Sequence, residues 1–321
     1  MPQPATGDWH LDAALQNISL AFVQDPLQFI AHQVFPNVGV GKRSDKYHTF
    51  GRGDFARNQA GIRAPNGHVP EGGFTMSSDS YFCEEKGLAT PITDAIMANA
   101  DPAASPEIAA SNFVTEAVMI EKEVNWASSF FATSIWATDV TPANLWSDFT
   151  LGDPLGDIRL GITTVLQNTG RRPNTLTMGR QVWDKLVDHP DITARITGGS
   201  TSDNPAIVTK AQVAAIFELD QILVGEASQN TAAEGDTDVF AFILGKNALL
   251  SYRPPAPGIF TASAGYTFSW DSYLSGSNEF GFVLDVLRDA KADSDIYRAR
   301  SHYDYKVVSS ALGYFFNGAV A

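Results

Sequence analysis

The stretch SPEIAASNFVTEAVMIEKEVNWASSFF, residues 105–131, sets the architecture of this chain. Ser105 is of a type that caps helices, Pro106 suits a first helical position, and Glu107 complements the positive end of the helix dipole. Apolar residues then recur every three or four positions, at Phe113, Ala117, Ile120, Val124, Ala127 and Phe131, with Val114 and Val118 widening the stripe. This spacing predicts a helix of about seven turns whose apolar stripe is buried. A helix of that length predicts a rigid spine for a flat or elongated unit.

Upstream of the spine the pattern changes. Residues 39–80 are broken by Gly39, Gly41, Gly51, Gly53, Gly61, Gly67, Gly72 and Gly73, and by Pro65 and Pro70. Short pieces such as YHTF and GFTM lie between the breakers, which predicts a long two-stranded excursion with turns. Such a segment has little core of its own, yet it carries Tyr47, Phe50, Phe55, Phe74, Tyr81 and Phe82. Either a neighbouring chain covers those rings or the segment folds back as a hairpin on its own body. It is also basic: Lys42, Arg43, Lys46, Arg52, Arg57 and Arg63 crowd a stretch with only Asp45 and Asp54 among them. A basic segment on an acidic chain predicts attraction between subunits, with Arg52, Arg57 and Arg63 facing acidic patches on a neighbour. The plainer reading is a solvated loop with incidental charge. Further upstream, Leu11, Leu15, Ile18 and Phe22 predict a short amphipathic helix over residues 11–24. The apolar run from Leu27 to Phe35 then predicts an arm that lies across something else.

Downstream, Asp153 and Pro154 open a second helix that runs through Leu155, Ile158, Ile162 and Val165 and stops at Gly170. Arg171-Arg172-Pro173-Asn174 then turns into a short strand at Thr175–Met178. Thr209 and Gln212 have the spacing of a capping box before a third helix. Strands are expected at Gln221–Val224, Asp238–Leu244, Ala248–Tyr252, Tyr266–Trp270, Phe280–Leu284 and Tyr303–Val308. Helices and strands alternate irregularly, which predicts an α+β fold.

Composition narrows the function. The chain has 321 residues, a net charge of −14 and a pI near 4.7. Acidity on that scale repels phosphate backbones on average, so any contact with nucleic acid is local. No run of apolar residues is long enough to span a bilayer, and the first residues lack the basic-then-apolar order of a secretory signal. The single cysteine, Cys83, has no partner for an intrachain disulfide, which fits a reducing compartment. His10, His32, His48, His68, His189 and His302 show no zinc-ligand spacing. No phosphate-cradling glycine motif and no serine nucleophile elbow is present. Cys83 beside Glu84 and Glu85 is a poor nucleophile. Contact with other copies accounts for these features better than pocket chemistry.

Three stretches then carry a resemblance. They are Ile30–Phe35 with Pro36 leading into the excursion, Gly170–Leu176 with Met178-Gly179 and Val182-Trp183, and DAKADSDIYRARSHYDY at 289–305 followed by Lys306-Val307-Val308. Together with the order of arm, basic loop, spine and α+β body, they resemble the tailed-bacteriophage major capsid proteins of the HK97-like fold. The resemblance implies an N-terminal arm at 1–40, an extended β-hairpin loop at 41–90, a peripheral domain with the spine at 91–155, an axial domain at 156–298, and a return to the body at 299–321. It implies self-assembly into pentamers and hexamers of an icosahedral head shell that encloses double-stranded DNA without sequence-specific binding. Separate scaffolding, portal and decoration proteins are the implied partners. The implied location is the virion, assembled in the host cytoplasm, and no membrane, cofactor, metal or catalytic residue is implied. Intersubunit contacts are expected at Phe50, Arg52, Phe55, Arg57, Arg63 and Phe74, and spine packing at Phe113, Ala117, Ile120, Val124 and Phe131. Two other readings stay open: an encapsulin-like compartment shell around cargo enzymes, and a soluble α+β enzyme.

Overall fold

The spine exists, and its buried strip differs from the expected one. A computed structural model describes residues 23–63, 65–100, 105–196, 208–258, 261–273 and 281–321. The helix expected over 11–24 lies outside them except for its last two positions. The described helices are α1 (Ala31–Val34), α2 (Arg52–Phe55), α3 (Asp94–Asn99), α4 (Pro106–Phe130), α5 (Pro154–Thr169), α6 (Arg180–Val187), α7 (Pro190–Ile196) and α8 (Lys210–Phe217). The strands begin with β1 (Asn37–Gly39), β2 (Ser44–Phe50), β3 (Met76–Phe82), β4 (Glu84–Thr93), β5 (Thr138–Val140), β6 (Thr175–Gly179) and β7 (Gln221–Gly225). They continue with β8 (Ser228–Asn230), β9 (Phe240–Phe242), β10 (Ala248–Ser251), β11 (Gly265–Ser269), β12 (Val283–Asp289), β13 (Ser294–Val307) and β14 (Gly313–Phe316).

The spine, α4, has 25 residues and is therefore about 37 Å long. Ser105 does not cap it through its side chain. It sits in the left-handed region at φ 37°, and its carbonyl accepts from the Ile108 and Ala109 N–H groups. The buried positions are Pro106, Ala110, Val114, Val118, Met119, Lys122, Glu123 and Trp126. Phe113 is exposed instead, while Ala117, Ile120 and Val124 are half-buried; Phe131, just past the helix, is buried. The reason is geometric. Ala110, Val114, Val118, Lys122 and Trp126 follow an i+4 ridge, which drifts by about 40° at each step. The strip winds because the helix changes partners along its length. Ala110 meets Ile92 and Tyr297, Val114 and Val118 meet Phe29 and Phe282, and Trp126 meets Phe35 and Trp136.

The spine lies on a five-stranded sheet. Its centre is the 14-residue β13, paired antiparallel to β4 along one side. On the other side, the first half of β13 pairs with β12 and the second half with β11, and β1 joins β11 in parallel. A second five-stranded sheet has the order β5-β14-β10-β6-β7. There β6 runs parallel to β7 and β14 parallel to β5, with β10 antiparallel to both of its neighbours. Helices α5, α6 and α8 bury Ile158, Ile162, Trp183, Val213 and Phe217 with Leu176, Met178, Leu250 and Phe316 of this sheet. Gly161 lets α5 approach closely: a Cβ there would sit 2.9 Å from Leu250 Cδ1.

Punctuation residues do what their chemistry predicts. Asp153 accepts from the Gly156 N–H, and Gly170 closes α5 at φ 67°. Thr209 and Gln212 form a capping box on α8. At the entry to β6, Asn174 Nδ2 donates to Asp220 Oδ2 at 2.9 Å and to the Arg253 carbonyl at 2.7 Å, and its Oδ1 accepts from the Arg253 N–H. One side chain thus fixes the ends of three neighbouring strands.

Two expectations are corrected. The strand expected at Asp238–Leu244 shrinks to Phe240–Phe242, which pairs only with β8 in an exposed hairpin. Strand β13 also runs straight through the expected boundary at 298/299, because it is the shared rib of its sheet. Residues 265–269 and 283–307 group with the spine, and 313–316 group with the α5–β10 body.

Candidate assembly interface

The excursion is a two-stranded hairpin. Strands β2 and β3 pair from Ser44↔Phe82 to Phe50↔Met76. Its base is clamped by aromatic stacking: the Phe268 ring lies 4.6 Å from Tyr81 and 5.4 Å from Tyr47. The Arg43 guanidinium sits 4.7 Å from the Phe82 ring, and the Phe82 N–H donates to Asp304 Oδ2 at 2.9 Å. Cys83 is buried beside this clamp. Burial and the nearby carboxylates of Asp304 and Asp271 push its thiol up to about 11, which makes it a poor nucleophile.

Farther out, packing thins. Asp54 Oδ2 accepts from the Thr75 N–H at 2.8 Å and its hydroxyl at 2.6 Å, which ties α2 to the start of β3. These bonds hold the Asp54 carboxyl below its ordinary range. Phe50, Phe55 and Phe74 gather at centroid distances of 5.4–6.1 Å. They do not bury one another: Phe55 is 63% exposed and Phe74 64%, while Phe50 is half-buried. Arg52 donates to the Gln167 carbonyl at the end of α5, and Arg63 to the Gly67 carbonyl. Arg57 is exposed near Asp54. Within one chain, therefore, Arg52 and Arg63 donate to backbone carbonyl groups.

Sequence reading missed the anchoring of the arm. Glu123, fully buried on the spine, accepts from the Ile30 and Ala31 N–H groups at 3.1 and 2.9 Å, where α1 begins. Glu116, two turns earlier, accepts from Gln24. Phe35 then inserts between Trp126, Trp136 and Tyr305. Desolvation raises the Glu123 carboxyl to about 7, against the pull of the two backbone N–H bonds. The neighbouring Lys122 is lowered to about 8 by burial, and its ammonium lies 4.6 Å from the Tyr303 ring. Nothing in local periodicity marks these residues; charges on the buried side of a helix look like solvated ones in sequence.

A pH dependence follows from Glu123. Its folded pKa lies above its unfolded one, so its contribution to stability is full below about pH 4.5 and is lost as pH rises through about 7. Glu123→Gln keeps an acceptor for both N–H groups and removes the charge. It is expected to flatten the melting temperature between about pH 5 and 7 and to be the more stable form at about pH 8. Melting curves across that range check this, and equal slopes for the two proteins would refute it.

Among the described residues, no group of three or more His, Cys, Asp or Glu side chains lies together as a metal site. No helix there is long and apolar enough to cross a membrane. An open cleft of about 300 Å³ at the loop base is lined by Glu84, Lys86, Asn125, Tyr303 and Lys306. Two of these, Lys86 and the Tyr303 hydroxyl, donate to Glu121 at 2.7 and 2.8 Å.

Comparison with known proteins agrees with this layout. The family model described as phage major capsid protein E matches residues 107–264, which hold the spine and most of the body. A major capsid protein of Pseudomonas phage JBD67 is 26% identical over 97% of both chains. A phage-related protein from Bordetella bronchiseptica RB50 shares the fold at a TM-score of 0.66 and 21% identity, covering 94% of this chain and 99% of its own. The capsid structure of the cyanophage P-SCSP1u aligns at a TM-score of 0.60 and 11% identity, covering 100% of this chain and 96% of its own. The compartment-shell reading is not favoured, since the near-full-length relative and the family model are both phage capsid proteins. From the matched spine and body, the relative of similar length and the shared arrangement of arm, hairpin loop, spine and sheets, the chain is similar to phage major capsid proteins and has the HK97-like fold.

Proposed function

We propose that copies of this chain form pentamers and hexamers that close into an icosahedral shell around double-stranded DNA. Its role is structural, within the virion. The observation that carries this reading is the hairpin loop: Phe55 and Phe74 stay exposed in the single chain although they already cluster with Phe50. Large apolar rings gathered at the end of a projecting hairpin mark a contact surface. Arg52, Arg57 and Arg63 give that surface a charge opposite to the chain's net −14. A closed shell uses such a heterologous contact repeatedly without leaving a free end.

In this reading residues 1–40 are the arm and 41–90 the loop with its return strand. The peripheral unit joins the spine to residues 265–307, and the axial unit joins residues 154–251 to the strand at 313–316. DNA is held without sequence-specific contacts, and separate scaffolding, portal and decoration proteins act with the chain in the host cytoplasm. The test is native size measurement of the purified chain, electron microscopy of any particles, and their nucleic-acid content. Closed particles of uniform diameter are expected. A monodisperse monomer at high concentration would overturn the proposal.

A further inference from the structure

The chain contains two Asn-Gly pairs, Asn66-Gly67 and Asn317-Gly318, and the fold treats them differently. Asn66 lies in the loop between β2 and β3, where Pro65 and Asn66 form the corner of a turn. Its φ is 63°, a left-handed conformation that asparagine tolerates better than most residues. Asn66 is exposed, so its carboxamide is open to solvent. Arg63 Nε donates to the Gly67 carbonyl at 2.6 Å, which fixes the far side of the turn and not the Gly67 amide nitrogen. Asn317-Gly318 is tied down instead. The Asn317 N–H donates to the Val140 carbonyl and the Gly318 N–H to Asn247 Oδ1, both at 2.8 Å. Phe316 before the pair and Ala319 after it are buried.

We propose that Asn66 is a site of spontaneous modification, the loss of its side-chain amide through a cyclic imide formed with Gly67. The Gly67 amide nitrogen attacks Asn66 Cγ. The N–Cγ bond forms, the Cγ–Nδ2 bond breaks, and ammonia leaves with the amide proton. Water then opens the ring at either carbonyl and gives aspartate or isoaspartate. Nothing is oxidised or reduced, and water is the co-reactant. A Cβ on the residue after the asparagine hinders the attack, and glycine has none. The same attack at Asn317 needs a nitrogen whose hydrogen is bonded to Asn247, so that end of the chain has to open first. The product sets a carboxylate three residues from Arg63, on a stretch from 55 to 70 whose charges are Arg57 and Arg63. The isoaspartyl form also adds one carbon to the backbone at the turn, which shifts Gly67 relative to Arg63. The chain therefore ages at its loop before it ages in its body.

The experiment holds the purified, unassembled full chain in mildly alkaline buffer at physiological temperature. Samples are digested in acid at intervals and weighed by mass spectrometry, and an isoaspartyl methyltransferase serves as the probe for isoaspartate. The Asn66 peptide is expected to gain about 1 Da and to become a methyltransferase substrate. Its conversion is expected to run about tenfold faster than that of the Asn317 peptide, and Gly67→Ala to slow it by about tenfold. In denaturant the two pairs of the unaltered chain are expected to convert at matching rates, because nothing then holds Gly318. Equal rates in the folded chain, faster conversion at Asn317, or a Gly67→Ala rate equal to that of the parent would overturn the proposal. A difference that persists in denaturant would overturn the part assigned to the fold.

Discussion

Val118→Asp is expected to give almost no soluble protein, whereas Phe113→Asp, five residues earlier on the same helix, is expected to fold. Val118 is 3% exposed and belongs to the cluster of Phe29, Val114, Met119, Phe282 and Ala299. Its replacement forfeits about 1.5–3 kcal/mol of apolar burial. It also places a carboxylate in an apolar cluster, which costs several kcal/mol more whether the group ionises or stays protonated. Total stability of a domain is about 5–15 kcal/mol, so the sum removes most of it. Phe113 is 44% exposed, and an aspartate there reaches water. Soluble yield and thermal melting of the two variants measure the contrast. A soluble Val118→Asp protein that melts like the parent would show that the buried strip is wrongly assigned.

Replacing residues 53–73 by a short turn is expected to spare the fold and abolish closed particles. None of the buried clusters draws on that segment; the stacking on Phe268 that holds the hairpin comes from Tyr47 and Tyr81, which the deletion keeps. The melting temperature of the unassembled chain should therefore stay within about 2 °C of the parent. Phe55 is lost, and with it the ring contacts it makes with Phe50 and Phe74. Each ring covered by a neighbour contributes about 1.5–3 kcal/mol, and a shell repeats that contact at every subunit. Size distribution by light scattering and imaging provides the readout. Normal particles from the shortened chain would remove the loop from the assembly contact.

Much of the fold was legible because local chemistry decided it. Asp153, Pro154 and Gly170 marked α5 at both ends, Thr209 and Gln212 marked the start of α8, and the glycines of residues 39–80 marked the hairpin. The spine's limits were legible for the same reason. Its buried face was not, because a straight stripe assumes one flat partner and α4 crosses three clusters in turn. Ser105 misled because a left-handed φ and a carbonyl acceptor replaced side-chain capping. Long-range pairing was the least visible. Nothing near residue 298 announces that β13 continues to Val307, since its partners come from residues 84–93, 265–269 and 283–289. On the candidate interface, charge and aromatic content identified the loop. The bridge that Gln24 makes between Glu116 and Ser228 stayed hidden, because the three residues lie far apart in sequence.

The position of β14 has a consequence for how the protein is made. This strand, Gly313–Phe316, lies between β5 and β10, so more than 300 residues must leave the ribosome before that sheet has its interior. Until then β10 has an open edge, and Tyr314 and Phe316 are missing from the core beneath α5. Folding of the body therefore depends on contacts distant in sequence. Chains still being synthesised on one message have no finished body to dock with one another. Association of neighbouring chains before that strand arrives is expected to be held back by the order in which the strands are delivered.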